Sequence, residues 1–560
     1  MQNSLLMTRR SWSANSLIVI VTMFIIASGN SSFISSVTKV YPPSSDNAWA
    51  LLSLIIFFGG ATLLVLSALC FKRLTKPVLI LVLLLSSLAA YFMDSYGVII
   101  SDDMLRNVAH TNAAEARDLF SVKLLVYLAI LGVLPALAVS RVPLYWRGWR
   151  GEGIARLKLS AFTLTLMIGI LLMFGSFYAS FFRQHKDLRQ QANPVYYMYS
   201  AVKYAAAALK SGAGGPISIV GADAKIPASH EHRELVIMVV GETARADRFS
   251  LNGYTRETNP QLRKKNLISF SDFWACGTST AVSVPCMFLL DGESKGKSAI
   301  TSQENLLDVL QRSGVQVLWL DNNSDSKGVA SRVPFQDFKS PKINPICDIE
   351  CRDVGMLVGL QAYIDSHPKG DIFIVLHQMG NHGPAYYKRY PAEFEKFKPV
   401  CKNSDLSQCS REEIGNAYDN AILYTDHFLA KAIELLEGND SKFETALFYV
   451  SDHGESLGEN GLYLHGLPKA IAPDTQLKVP AVMWFGKNFE VAVSPALRAT
   501  SKLRFTHNNV FHTILGFFEV ETTVHRAELD VLHQARLEKK QLPVASRRVA
   551  PPDRATLAAD

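Results

Sequence analysis

Thr445 to His465 reads TALFYVSDHGESLGENGLYLH. Its first six residues, Thr445 to Val450, form a short β-branched and aromatic run bounded by polar residues, the pattern of a buried strand. The run ends in Ser451-Asp452-His453-Gly454-Glu455. Open α/β sheets carry their chemistry at strand ends, where loops are exposed while their stems are fixed. Asp452 and His453 together offer a hard oxygen and a borderline nitrogen, a donor pair that suits zinc. Taken alone, the pair is better explained as a turn-capping carboxylate beside a structural histidine. The surrounding residues add weight: Gly454, Gly458 and Gly461 loosen the loop, and His465 returns near its end. Further ligands have to come from other strands.

The chain has 560 residues, enough for two or three domains, and its 48% hydrophobic content is unevenly spread. Five apolar segments are predicted to span a membrane: Asn15 to Ile34, Ala48 to Phe71, Val78 to Ile100, Val122 to Ser140 and Leu157 to Phe182. Arg9 and Arg10 precede the first, Lys72, Arg73 and Lys76 lie between the second and third, and Arg141, Arg147, Arg150, Arg156 and Lys158 lie between the fourth and fifth. The other two loops hold only Lys39, Arg106 and Arg117. The N-terminus is therefore assigned to the cytoplasm, and everything after Phe182 to the far side. A cleaved signal peptide ending at Ala27-Ser28-Gly29 would leave that side unchanged, but the first segment runs on apolar to Ile34 and is read as an anchor.

Six of the seven cysteines, Cys276, Cys286, Cys347, Cys351, Cys401 and Cys409, lie in the external part. An even set confined there predicts an oxidising compartment and three local disulfides. Proximity pairs them in sequence order, although six cysteines allow other connectivities. The absence of a C-x-x-C pair argues against a cysteine zinc site. The net charge of +7 is largely accounted for by cytoplasmic loops and a basic tail, so no nucleic-acid partner is inferred.

In chain order, Ser101 to Ser121 is an external loop predicted to be a short helix. Asn107, Thr111 and Glu115 recur in it at every fourth residue and share one face, either a solvated face or a holder of a polar lipid headgroup. Arg183 to Lys210, with Pro194 suited to a helix start and Tyr196, Tyr197, Tyr199 and Tyr204 interleaved with lysines, reads as an amphipathic helix on the membrane. Ser211 to Arg233 reads as a linker. Strands are then predicted at Leu235–Val240, Val315–Leu320, Ile372–Leu376, Thr445–Val450 and Val479–Phe485. They alternate with helices at Gln303–Ser313, Asp353–Asp365 and Arg411–Leu436, a pattern that argues for a doubly wound, mainly parallel sheet. The expected organisation is a membrane domain over 1–182, a bridge and linker over 183–233, an external domain over 234–534 and a disordered tail over 535–560.

The loops that follow these strands converge at one rim of such a sheet. They are Gly241-Glu242-Thr243, Asp321 to Lys327, and His377 to His382, in addition to the segment at Asp452. A nucleophile is sought in Cys276 to Cys286, where small hydroxyl residues stand at a predicted helix N-terminus that favours negative charge and phosphate. A metal would supply the activation that a free threonine lacks. Chemistry alone does not separate Thr278, Ser279 and Thr280, and N-capping explains them too.

GETARAD (Gly241 to Asp247), CGTSTAVSVPCMF (Cys276 to Phe288), DNNSDSKG (Asp321 to Gly328), HQMGNHGP (His377 to Pro384) and SDHGESLGENGLYLHG (Ser451 to Gly466) closely resemble the lipid A phosphoethanolamine transferases. That family includes chromosomal Gram-negative enzymes and mobile colistin-resistance proteins. The resemblance runs from the first span to about Gly516 and leaves out the tail. It implies an alkaline-phosphatase- or sulfatase-like catalytic domain in the periplasm of a multi-pass inner-membrane protein. By motif position it makes Thr280 the nucleophile and Glu242, Asp452 and His453 the ligands of one zinc, which Thr280 also faces. It also implies that Asn107, Thr111, Glu115, Ser324, Lys327, His382 and His465 hold phosphoethanolamine or a second zinc. The implied reaction is ping-pong transfer from phosphatidylethanolamine to a lipid A phosphate, by a monomer among inner-membrane lipids, with Lys327 neutralising charge and His382 or His465 acting as acid. Masking a phosphate with ethanolamine would weaken polymyxin binding. A glycerol-phosphate or other phosphoalcohol transferase is the alternative on this scaffold. A sulfatase is disfavoured because no C-x-P-x-R or S-x-P-x-R surrounds Thr280. A transporter is disfavoured because the only acidic residue within the spans is Asp94, near an outer end.

Overall fold

The computed structural model describes residues 11–45, 47–111, 113–211, 217–228, 232–292, 299–489 and 495–533. The expected tail over 535–560, and parts of the expected linker, lie outside them.

Among the described residues the C-terminal half has ten strands: β1 Glu234–Gly241, β2 Leu267–Trp274, β3 Gln316–Asp321, β4 Phe335–Asp337, β5 Ile372–His377, β6 Glu444–Ser451, β7 Ser456–Leu457, β8 Tyr463–Leu464, β9 Lys478–Phe485 and β10 Phe505–Thr506. Eight form one sheet in the order β10-β2-β9-β6-β1-β5-β3-β4, and β7 pairs with β8 apart from it. Only the pairings of β9 with β2 and β6 are antiparallel in the large sheet. The central strands are apolar throughout because both faces are covered. Val236, Met238 and Val240 of β1 pack with Phe288, Trp319 and Phe448 beneath the helices Thr280–Phe288, Leu306–Arg312 and Asn508–Phe517. Leu235, Ile237 and Val239 pack with Phe249 and Tyr449 beneath Arg411–Glu437. Each such side chain, once fully buried, contributes about 1.5–3 kcal/mol.

The register positions the site. Gly241 of β1 is opposite Ser451 of β6, Val240 is opposite His377 of β5, and His377 is opposite Asp321 of β3. Four strands therefore end level, and their following loops share one rim.

Two elements of the sheet domain differ from expectation. β2 was not anticipated, because LISFSDFW mixes buried and exposed positions and its pairing slips between Phe270 and Phe273. The helix expected over Asp353–Asp365 is a 3₁₀ turn, Asp353–Leu357, followed by Leu360–Asp365. Gly359 at φ +86° separates the two.

Among the described residues four helices are long and apolar enough to cross a membrane: Ala48–Leu69, Lys72–Tyr96, Val122–Arg141 and Gly148–Met173. The first expected span is a pair, Ala14–Ser28 and Ser31–Val40, bent by 57°. Asn30 at the break donates to the Asn193 and Ile25 carbonyls at 2.8 and 3.2 Å, and Asn193 donates to those of Gly29 and Ser86. Asp94 serves this bend, accepting from the Ser32 N–H at 3.0 Å and the Ser31 hydroxyl at 2.6 Å at the start of the second piece. The third helix stops at Tyr96 because Gly97 takes a left-handed conformation, and Val98 to Ile100 continue without regular secondary structure. The fifth begins earlier than expected, so Arg150, Arg156 and Lys158 lie within its first turns, and it breaks at Phe174.

The loop before the fourth span forms two helices, Asp102–His110 and Ala113–Asp118, instead of one. The chain turns at Thr111, whose hydroxyl donates to the Asn107 carbonyl at 2.8 Å. Helix Val195–Ser211 follows Pro194. The disulfides are Cys276–Cys286, Cys347–Cys351 and Cys401–Cys409, and Cys70 is a buried free thiol.

Candidate active site

The loops after β1 and β6 bring Glu242, Asp452 and His453 together, all buried, with one potential ligand atom from each within 4.8 Å of the others. His453 Nδ1–H donates to the Gly454 carbonyl at 2.8 Å, which turns the Nε2 lone pair toward the carboxylates. Nε2 lies 3.3 Å from Asp452 Oδ2 and 3.4 Å from Glu242 Oε1. Asp452 Oδ1 is held by the Thr243 and His453 N–H groups at 3.1 and 2.7 Å, while its Oδ2 is buried with no hydrogen-bond partner. Burial and the neighbouring Glu242 push the Asp452 carboxyl up to about 7. Glu242 is held low by His453 and the other imidazoles despite its burial. Two crowded carboxylates, an orphaned oxygen and an oriented imidazole fit a divalent cation.

Glycine makes this packing possible at two points. A Cβ on Gly454 would stand 2.1 Å from the Thr475 carbonyl oxygen, and one on Gly380 would stand 2.8 Å from the Glu242 carbonyl oxygen. Gly454 is therefore required for close approach, whereas Gly458 and Gly461, at φ +102° and +76°, are required for conformation.

The three hydroxyls left open by sequence chemistry differ in place. Thr278 donates to the Leu467 carbonyl at 2.5 Å. Ser279 occupies the N-cap of helix Thr280–Phe288 without making a side-chain cap bond. Thr280, in the first turn, donates to Glu242 Oε2 at 3.2 Å, and its oxygen lies 3.5 Å from His453 Nε2. Thr280 thus reaches the carboxylate-imidazole cluster.

From this point a cleft of about 140 Å³ opens between the two halves of the chain. Asn107, Thr111, Glu115, Ser324, Lys327, His382 and His465 all line it with Thr280. Lys327 Nζ donates to Ser324 Oγ at 2.7 Å. Burial lowers its proton affinity, against the pull of Glu115 and Glu242. Burial also lowers His382, and it pushes His465 down to about 3 with help from His453. His465 Nδ1 pairs with Glu455 Oε2 at 3.0 Å, and the His465 ring centroid lies 4.2 Å from that of His453 and 5.6 Å from that of His382.

Several participants escaped sequence reasoning. Asn323 donates to Glu242 Oε2 at 2.7 Å and to the Gln378 carbonyl at 2.8 Å, yet it sits unremarkably within DNNSDSKG. Asp353 orders the loop that carries His382 by accepting from the Met379 and Gly380 N–H groups at 2.8 and 3.1 Å. The apolar wall of the cleft, Phe92, Val98, Ile100, Met104, Val108 and Leu119, carried no signal apart from the neighbouring spans.

A sulfatase-like sheet carrying a metal-competent carboxylate-imidazole cluster beside a helix-start threonine, fused to membrane-crossing helices, defines a membrane-anchored member of the alkaline-phosphatase/sulfatase class. Residues 234–520 match the Sulfatase family, and residues 58–209 match Phosphoethanolamine transferase EptA/EptB. The chain is 42% identical to phosphatidylethanolamine transferase Mcr-1 of Escherichia coli over 93% of its own length and 97% of the relative's. It is 36% identical to phosphoethanolamine transferase EptA of Escherichia coli K12 over 95% and 98%. It is also similar to the structure of the integral membrane protein lipooligosaccharide phosphoethanolamine transferase A from Neisseria meningitidis, with TM-score 0.89, 33% identity, and coverage of 94% of this chain and 99% of that one. The chain belongs to the phosphoethanolamine transferase family.

Proposed function

We propose that this protein, a monomer in the bacterial inner membrane with residues 234–534 in the periplasm, moves phosphoethanolamine from phosphatidylethanolamine to a lipid A phosphate. The observation that carries the proposal is the cleft. Thr280 lines it with polar and charged groups, and so do the apolar residues Phe92, Val98, Ile100, Met104, Val108 and Leu119 of the membrane half. A lipid whose headgroup must reach a nucleophile while its tails stay in the bilayer requires both kinds of lining.

Glu242, Asp452 and His453 would hold zinc, which when bound lowers the pKa of a nearby hydroxyl and offsets charge on a phosphoryl oxygen. Thr280 Oγ attacks the donor phosphorus, the bond from phosphorus to the glycerol oxygen breaks, and diacylglycerol leaves with a proton. A lipid A phosphate oxygen then attacks the phosphoethanolamine-threonine phosphorus, freeing Thr280. Lys327, anchored on Ser324, faces the developing charge. Burial lowers the proton affinity of His382 and His465, and an arriving phosphodiester anion raises it, so either can supply the leaving-group proton. Asn107, Thr111 and Glu115 meet the ethanolamine end, Glu115 by charge. The ethanolamine cation added to lipid A weakens polymyxin attraction.

Lipid A mass spectra from cells expressing the wild type and Thr280→Ala test this reading. Phosphoethanolamine addition by the wild type alone is expected. Addition by the alanine variant refutes Thr280 as nucleophile, and glycerol phosphate on Thr280 would favour the alternative phosphoalcohol chemistry.

A further inference from the structure

The cleft has walls from two parts of the chain that are far apart in sequence, and one buried ion cluster joins them behind the lining residues. Asp118 ends the helix that carries Glu115 and is 7% exposed. Its carboxylate accepts from Lys388 Nζ at 2.5 Å through Oδ1 and from Arg389 Nη2 at 2.5 Å through Oδ2. Burial opposes ionisation of Asp118, yet these two cations hold its carboxyl below the ordinary range. Arg389, 4% exposed, uses its remaining donors on the catalytic side. Nε donates to the His382 carbonyl at 2.6 Å, and Nη1 pairs with Glu350 in the Cys347–Cys351 hairpin. Arg352 Nη1 donates to the Lys388 carbonyl at 2.6 Å and fixes the base of the cluster.

One planar guanidinium therefore ties together three segments: the membrane-side loop, the loop bearing His382 and a disulfide-closed hairpin. Only a fork of fixed geometry can serve all three, and a lysine at 389 cannot. Glu115 lies one helical turn before Asp118, so any slack in this clamp shifts the Asn107-Thr111-Glu115 wall relative to Thr280. Displacements of about 1 Å at such sites cost on the order of a hundredfold in rate.

We propose that Asp118 and Arg389 are positioning residues. They dock the membrane-side loop onto the catalytic domain and set the width of the cleft in which, on the reading above, the ethanolamine headgroup is seated. The pair touches no reacting atom. Its loss impairs headgroup seating and leaves the Thr280 centre able to react.

The test uses the full chain, zinc-loaded, in lipid nanodiscs, with wild type, Asp118→Asn, Asp118→Glu and Arg389→Lys. Diacylglycerol release from phosphatidylethanolamine is compared with hydrolysis of bis-p-nitrophenyl phosphate, which has no ethanolamine, and hydrogen exchange is followed over residues 101–121. Asp118→Asn and Arg389→Lys should raise KM for phosphatidylethanolamine about tenfold or more. They should leave p-nitrophenol release within about twofold and speed exchange in the loop, while Asp118→Glu recovers part of the loss. Equal loss on both substrates, or unchanged KM with unchanged exchange, overturns the proposal. If Asp118→Asn does not fold, Arg389→Lys alone decides by the same criteria. A wild type that hydrolyses the chromogenic diester but releases no diacylglycerol refutes the headgroup reading itself, and faster loop exchange in the variants would still show the clamp.

Discussion

If Glu242, Asp452 and His453 hold zinc as proposed, removing it should destabilise the protein by an amount the structure sets. Glu242 and Asp452 are buried, and their nearest ligand oxygens lie within 4.8 Å of each other. At a pH near 8, where the Asp452 carboxyl is ionised, and at an effective dielectric near 20, two unit charges at that separation repel by about 3.5 kcal/mol. A bound cation cancels this repulsion, and metal at roughly a thousandfold above its Kd adds about 4 kcal/mol by linkage, a figure of the same size. For a domain of this scale each kcal/mol moves Tm by about 2–4 °C, so chelation should lower the unfolding midpoint by about 10 °C. The assay is thermal unfolding of the full chain in detergent, followed by tryptophan fluorescence, before and after chelation and again after zinc is restored. Asp452→Asn supplies the sharper comparison. It removes one of the repelling charges, so the metal-free variant should melt above the metal-free wild type, show little response to zinc, and lack transferase activity. Equal midpoints for stripped and zinc-restored wild type, within about 2 °C, would refute the argument. So would a metal-free Asp452→Asn that melts below the metal-free wild type.

Gly454→Ala should cost about 1–3 kcal/mol or more and abolish zinc retention, because the added methyl meets the Thr475 carbonyl beside His453; urea unfolding and metal content by mass spectrometry check both effects. Tyr418→Phe should cost about 1–3 kcal/mol, since the hydroxyl donates to the Thr243 carbonyl at 2.6 Å and accepts from the Arg245 N–H at 3.0 Å, and both partners would be left buried and unpaired. Burial pushes Asp426 up to about 7 despite the Leu262 and Gln261 N–H groups that bond it. Its protonated form is thus favoured in the folded state, and its contribution is complete below about pH 4 and lost as pH rises through 7, up to about 4 kcal/mol. Melting curves of wild type and Asp426→Asn at pH 5 and pH 8 should therefore show a smaller fall with pH in the variant.

The sheet was legible because β1, β5 and β6 are covered on both faces, which leaves continuous apolar runs that few other elements produce. β2 was not, since its half-exposed pattern and register slip resemble an irregular loop. The spans were legible by length, but the bend in the first was not, because Asn193, which stabilises it, is 163 residues from Asn30. The spacing of Asn107, Thr111 and Glu115 suggested a shared surface through one continuous helix. They meet in the cleft although the helix expected to align them is broken at Thr111. Motif chemistry pointed to the rim where the loops meet, but it could not rank Thr278, Ser279 and Thr280, because that ranking depends on the Leu467 carbonyl and on Glu242, both supplied by distant segments. The clamp between Asp118 and Arg389 had no sequence signal, since exposed acids and bases are common and only folding brings these two together from 271 positions apart.

The divided construction of the cleft bears on inhibitor discovery. A water-soluble fragment beginning at Glu234 would retain Thr280, Glu242, Asp452 and His453 while lacking Phe92, Met104, Asn107 and Glu115. Compounds selected against such a fragment would be ranked on metal affinity alone, a property shared with unrelated hydrolases. The greasy ledge and the acidic recess contributed by the membrane half are where selectivity would be gained, so screening belongs on the intact, lipid-embedded chain.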